Sequence, residues 1–251
     1  MRTLKKNPSA QERLIVALDI DDPKKAIDLV DAVKEHVSWF KVRQHHIVQN
    51  GDKGSLLTHL KENDLSILAD LQSTSTLDQL AQLVQIACDW ECDALSVKAD
   101  AHHMYTAVSR VAETTMGIGV FSPILLTQMG VGDAGFATAS ALTEFVVKQS
   151  RRAAEHRLQG VITSCQELPE IPNKLQRELV FITPGIRDEI LGLKVEHDNQ
   201  KRTCTLLEAV KNGADYLLIG RPMLYAQEPG LLALKCFEKL REIESTNGLA
   251  I

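Results

Sequence analysis

Short apolar runs alternate along this chain with longer stretches whose apolar positions recur at helical spacing. Leu14 to Asp19, Trp39 to Val42, Ser66 to Leu71, Ala94 to Lys98, Gly117 to Phe121, Gly160 to Ser164, Leu179 to Thr183 and Tyr216 to Ile219 read as eight buried strands. Between them the pattern predicts helices. The first starts at Asp22-Pro23, a capping acid followed by a proline at the first helical position, and runs to about Lys34. Others cover Lys53 to Glu62, Thr76 to Asp89, His102 to Thr114, Ala139 to His156, Leu206 to Lys211 and Leu231 to Arg241, with Gln166 to Arg177 broken by Pro169 and Pro172. Leu77, Leu80, Leu83, Val84 and Ala87 share one face of the third of these. Gln128 to Ala137 carries three glycines and predicts a loop over the strand ends, and the charged stretch Ile190 to Lys201 predicts another. Eight strand–helix repeats with no shift in composition imply an α/β fold, a (β/α)8 TIM barrel as a single domain over residues 1–251, with ends expected to fray near 1–11 and 242–251. A doubly wound open sheet is the alternative, but no glycine-rich fingerprint follows the first strand.

In a barrel the C-terminal ends of all strands share one face, so Asp19, Lys41, Asp70, Lys98, Arg187 and Arg221 are expected to converge. The late stretch Gly213-Ala-Asp-Tyr-Leu-Leu-Ile-Gly-Arg-Pro222 ends a strand on Gly220, which admits a ligand close to the backbone, and Arg221, a forked cation. Pro184-Gly185-Ile186-Arg187 repeats that chemistry, and one phosphate between the two ends is the natural occupant; the alternative is a pair of solvated turn arginines. Lys41 between Asp19 and Asp70 is expected to keep its proton, because each carboxylate favours the ammonium. Such a row can hold ribose hydroxyls or steady a developing carbanion. A structural ion pair on the rim is the alternative.

A chain of 251 residues, 44% apolar and 24% charged, is an ordinary globular composition, and a net charge of −5 without basic runs argues against a nucleic-acid surface. The five cysteines are scattered and odd in number, with no signal-like head, which fits a reducing cytoplasm. No apolar run reaches the roughly 20 residues that span a bilayer, so no membrane partner is expected. Cys88 and Cys92 lack a second Cys or His pair at zinc-site spacing, and no metal is expected. The adjacent pairs His45-His46 and His102-His103 are not expected to face one another. Thr163 and Ser164 read as packing residues, and the run Asp198 to Arg202 as a solvated face.

Phe181-Ile-Thr-Pro-Gly-Ile-Arg187, Asp198-Asn-Gln-Lys-Arg202 and Gly213 to Pro222 resemble stretches of orotidine 5′-monophosphate decarboxylase, as do Val16-Ala-Leu-Asp19, Phe40-Lys-Val42 and Gly160-Val-Ile-Thr-Ser164. The resemblance covers nearly the whole chain in order. It implies a barrel, a homodimer with sites at the subunit interface, a phosphorylated small-molecule ligand, and neither metal nor cofactor. Residue by residue, it makes Asp19 and Lys41 ribose-contacting and charge-network residues, and Asp70 the carboxylate facing the substrate carboxyl. Gly220 and Arg221 would hold the phosphate, and Gln128 takes the place where a Ser commonly meets the base. The family carries Asp-x-Lys-x-x-Asp on its third strand, whereas this chain reads Asp70-Leu71-Gln72-Ser73-Thr74-Ser75. Gln72 replaces the lysine and Ser75 the acid lent to the neighbouring subunit. Decarboxylation leaves a carbanion at C6 that needs a nearby ammonium and then a proton; Gln72 supplies neither. The family reaction is therefore expected to be impaired or changed. Lys98, on the fourth strand, is a candidate substitute cation.

Overall fold

A computed structural model describes residues 3–48, 56–71, 76–98 and 118–246. Eight parallel strands, β1 (Leu14–Leu18), β2 (Trp39–Arg43), β3 (Ser66–Leu71), β4 (Ala94–Val97), β5 (Gly119–Pro123), β6 (Gly160–Ile162), β7 (Val180–Thr183) and β8 (Tyr216–Ile219), pair in chain order and close β8 onto β1. This is the single (β/α)8 barrel that the alternating pattern predicts.

Closure divides the apolar side chains into two sets. Ile15, Ala17, Trp39, Leu68, Ala94, Phe121, Ile162, Val180, Ile182, Tyr216 and Leu218 fill the barrel interior. The alternate positions, among them Val16, Phe40, Ile67, Leu95, Val161, Phe181 and Leu217, face the surrounding helices. Trp39 and Tyr216 meet edge-on inside the barrel, ring centroids 6.3 Å apart.

Each helix has a local cause. Asp22 caps the helix Pro23–Val33 by accepting from the Lys24 N–H at 2.9 Å. Capping boxes start Leu77–Asp89 and Leu206–Lys211, the second stopping before Gly213 at φ +101°. The predicted proline-broken stretch is a 3₁₀ turn, Leu168–Glu170, followed by a helix Asn173–Glu178. Arg221–Leu224 is a short helix with Pro222 in its first turn, where the pattern predicts only a turn. The expected helix His102 to Thr114 lies outside the described residues.

Three expectations need correction. From residue 3 onward the head is tied down rather than frayed: Leu4 is buried in the barrel interior, the Lys5 N–H donates to the Tyr216 hydroxyl at 3.0 Å, and Lys6 pairs with Asp215 at 2.6 Å. The closing helix continues through Thr246, beyond Arg241, because Cys236, Leu240 and Ile243 keep one face against the barrel. The rings of His45 and His46 touch, their centroids 3.9 Å apart, since the short helix Gln44–Val48 begins directly at the strand end.

Candidate active site

The inward parity of each strand carries on past its end, and there the side chains change from apolar to charged. Ile15 and Ala17 lead to Asp19, Trp39 to Lys41, Leu68 to Asp70, and Ala94 through Ser96 to Lys98. Asp19, Lys41, Asp70, Lys98, Arg187 and Arg221 all line one cavity of about 460 Å³ at this end of the barrel. The expected convergence is met.

One side of the cavity holds an acid–lysine–acid row. Lys41 Nζ lies 2.9 Å from Asp19 Oδ1 and 2.8 Å from Asp70 Oδ2. Lys41 and Asp70 are buried, while the Asp19 side chain is 38% exposed. Burial alone would lower the Lys41 pKa, but the charges of Asp70 and Asp19 outweigh it and hold the ammonium above its ordinary value. The row therefore presents a permanent cation flanked by two anions.

The adjoining arc of the rim, beyond β7 and β8, carries the two arginines. They do not stand as a bare pair, because the Asp198 carboxylate lies between them. Arg187 Nε donates to Asp198 Oδ2 at 2.5 Å, and Arg221 Nη2 lies 2.9 Å from Oδ1. Burial would raise the Asp198 pKa; the Arg187 hydrogen bond, the Gln200 N–H and both guanidinium charges override it, and the carboxyl is held below the usual range. The run Asp198 to Arg202 is thus not a solvated face. Its alternate members turn inward: Gln200 lines the cavity, and Arg202 is buried against Glu167 at 2.8 Å.

Arg202 also fastens the loop over the strand ends. Its guanidinium donates to the carbonyls of Leu125, Leu126 and Met129, and Lys201 pairs with Asp133. Two of the cysteines taken as scattered, Cys165 and Cys204, are joined as a disulfide at the end of the same segment. Gly185 makes this packing possible: it sits at φ +80°, and a Cβ there would lie 2.6 Å from the Arg202 carbonyl oxygen.

Gln128 is exposed on its turn, and the buried neighbour Thr127 lines the cavity in its stead. Thr127 takes that position because its carbonyl accepts from the Lys201 and Arg202 N–H groups, which fixes the turn. Lys98 is exposed at the cavity mouth. Gln72 and Ser75 lie outside the described residues. Thr163 and Ser164 are buried, as expected of packing residues. Reasoning from sequence missed Asp198, Gln200 and Thr127, whose only signal is the alternation of inward and exposed positions through an irregular segment.

The sequence profile of the orotidine 5′-phosphate decarboxylase / HUMPS family matches residues 12–235. Orotidine 5′-phosphate decarboxylase of Carboxydothermus hydrogenoformans is 32% identical over 241 residues, 92% of this chain and 97% of its own. That of Methylococcus capsulatus is 30% identical, over 92% of this chain and 93% of its own. The crystal structure of orotidine 5′-phosphate decarboxylase from Pyrococcus horikoshii shares the fold at a TM-score of 0.64 and 20% identity, covering 91% of this chain and 99% of its own. An uncharacterized conserved protein from Geobacillus kaustophilus does so at 0.68 and 20%, over 92% and 99%. With a profile match across most of its length and relatives aligned nearly end to end, this chain belongs to the orotidine 5′-phosphate decarboxylase / HUMPS family.

Proposed function

We propose that the chain binds a nucleoside or sugar monophosphate across the barrel mouth, and that decarboxylation of orotidine 5′-monophosphate to UMP and CO2 is impaired. The phosphate lies at the Gly220 amide and Arg221, beside Gln200. Asp19 and Lys41 take the ribose hydroxyls, and Asp70 faces the group at C6. The observation that carries this proposal is the polarity of a single cavity, lined by the Arg187 and Arg221 guanidinium groups at the ends of β7 and β8 and by the Lys41 row at the ends of β1 to β3. A monophosphate with a polar body has the matching asymmetry.

The impairment follows from residues 72 and 75. Removing one preorganised group that stabilises developing charge costs on the order of 10²–10³ in rate, and Gln72 and Ser75 replace two. Lys41 does not compensate, because both neighbouring carboxylates already hold its ammonium. Lys98 supports a second reading, since it lines the same cavity as Asp70 and sits on a flexible stem. A relocated ammonium there would restore part of the rate. An altered lyase or isomerase reaction on another phosphorylated sugar would use the same grip.

The direct test follows the absorbance of orotidine 5′-monophosphate at high enzyme concentration. No turnover above the buffer blank, together with stabilisation by UMP of about 2.7 kcal/mol at 100 times its Kd, is the expected result. Turnover that vanishes in Lys98→Ala would favour the second reading. Brisk turnover untouched by that substitution would defeat both. The homodimer implied by the family resemblance is checked on the same sample by sedimentation.

A further inference from the structure

Asp198 accepts hydrogen bonds from Arg187 Nε at 2.5 Å and the Gln200 N–H at 3.1 Å, and forms an ion pair with Arg221 Nη2, 2.9 Å away. Two of these partners come from the ends of β7 and β8, and the third is the backbone of the segment that presents Gln200 to the cavity. Arg187 is further committed through Nη1 to the Ile186 carbonyl. One carboxylate therefore contacts both arginines of the cavity and the backbone of Gln200, three residues that line it.

We infer that Asp198 is a positioning residue that sets the two guanidinium groups and Gln200 for a phosphate, and so makes the site prefer the phosphorylated ligand. This rests on the monophosphate reading proposed above. Charge counting alone gives the opposite sign. Two guanidinium groups and one carboxylate leave a net +1 at this end, and removing the carboxylate leaves +2, which by Coulomb attraction would tighten a dianion.

Geometry decides against that sign. A carboxylate acting as an internal stand-in for the ligand has to leave when the ligand arrives. Asp198 is bonded to its own segment through the Gln200 N–H, in a turn of the type short acids form with the backbone two residues on. That segment has no regular secondary structure, and its other anchors, the Lys201 and Arg202 N–H groups on the Thr127 carbonyl, come after Gln200. Without Asp198, two long, many-rotamer arginines and Gln200 each have to be ordered at the moment of binding.

The test measures UMP binding by calorimetry and uridine binding by ligand-observed NMR, on the unaltered chain and on Asp198→Asn and Asp198→Ser. In the variants UMP should weaken by roughly 10-fold to 10²-fold and uridine by less than about twofold. Tighter UMP binding would make Asp198 a competitor and overturn the inference. Equal weakening of both ligands, or failure of both variants to fold, would make it a purely structural residue and overturn it as well. If the unaltered chain does not prefer UMP to uridine, the monophosphate reading falls and takes this inference with it. If that preference exists and both variants keep it, this inference alone falls.

Discussion

Arg202 and Glu167 face each other at 2.8 Å with side chains 5% and 4% exposed, and the same guanidinium holds three carbonyls of the loop over the barrel mouth. A buried ion pair adds little net stability when whole, but half of one is costly. Arg202→Met should destabilise the chain by about 3–5 kcal/mol, more than Glu167→Gln, because it also orphans the loop carbonyls. Urea unfolding measures both. Burial raises the Glu167 pKa despite the opposing Arg202 charge. The folded protein then keeps that proton longer than the unfolded chain, so stability from this group is full below about pH 4.5 and declines as pH rises through the raised value.

The two arms of the Lys41 row should differ in worth. Asp70 is buried with Lys41, whereas Asp19 is 38% exposed and partly screened by solvent. Asp70→Asn should cost about 3 kcal/mol, and Asp19→Asn under about 1 kcal/mol. Thermal unfolding of the two single variants checks the ranking, and equal losses would contradict it.

His46 gives the fold a mild acid sensitivity. Burial, the largest influence, lowers its pKa against the opposing contact of Nε2 with the Ile20 carbonyl at 2.7 Å; the His45 ring and Arg43 lower it further, and Asp21 raises it. The unfolded chain takes up a proton near pH 6.5 before the folded one does, so stability should drop as pH falls from 6.5 toward the lowered value. His46→Gln, measured by unfolding at several pH values, should flatten that slope.

Gly185 has both a left-handed backbone and no room for a methyl group. Gly185→Ala should cost about 1–3 kcal/mol and loosen the Asp198–Arg202 segment, which lies against it. Proteolysis of the folded variant within residues 194–204, compared with the parent, reads the loosening.

Restoring the family's third-strand residues is the gain-of-function counterpart. Gln72→Lys with Ser75→Asp should raise decarboxylation by on the order of 10²–10³ or more over the unaltered chain. An unchanged rate would move the cause of impairment away from these two positions.

The barrel and the charged strand ends were legible because both rest on short-range periodicity. Period-two alternation marks the inward face of each strand, and the same parity delivers Asp19, Lys41, Asp70 and Lys98 to one cavity. Asp198, Gln200 and Thr127 were not legible, because their placement depends on an irregular segment folded over the mouth and held by Arg202. Polar residues that turn inward to meet other polar residues leave no apolar signature. Cys165 and Cys204 were likewise opaque: they lie 39 residues apart, and it is the pairing of β6 with β7 and the bridge of Cys204 to Ile186 that bring them together.

The contacts of the head segment bear on the order in which the molecule assembles. Lys5, Lys6, Asn7 and Arg13 bond to Ala214, Asp215 and Tyr216, residues more than 200 positions later. During synthesis these residues lack their partners at 214–216 until the eighth strand has left the ribosome. Long-separated contacts of this kind form late and at a high entropic cost. A nascent chain stalled before residue 214 should therefore carry a loose leading segment and an unsealed barrel floor, a state open to chaperones and proteases that the finished protein denies them.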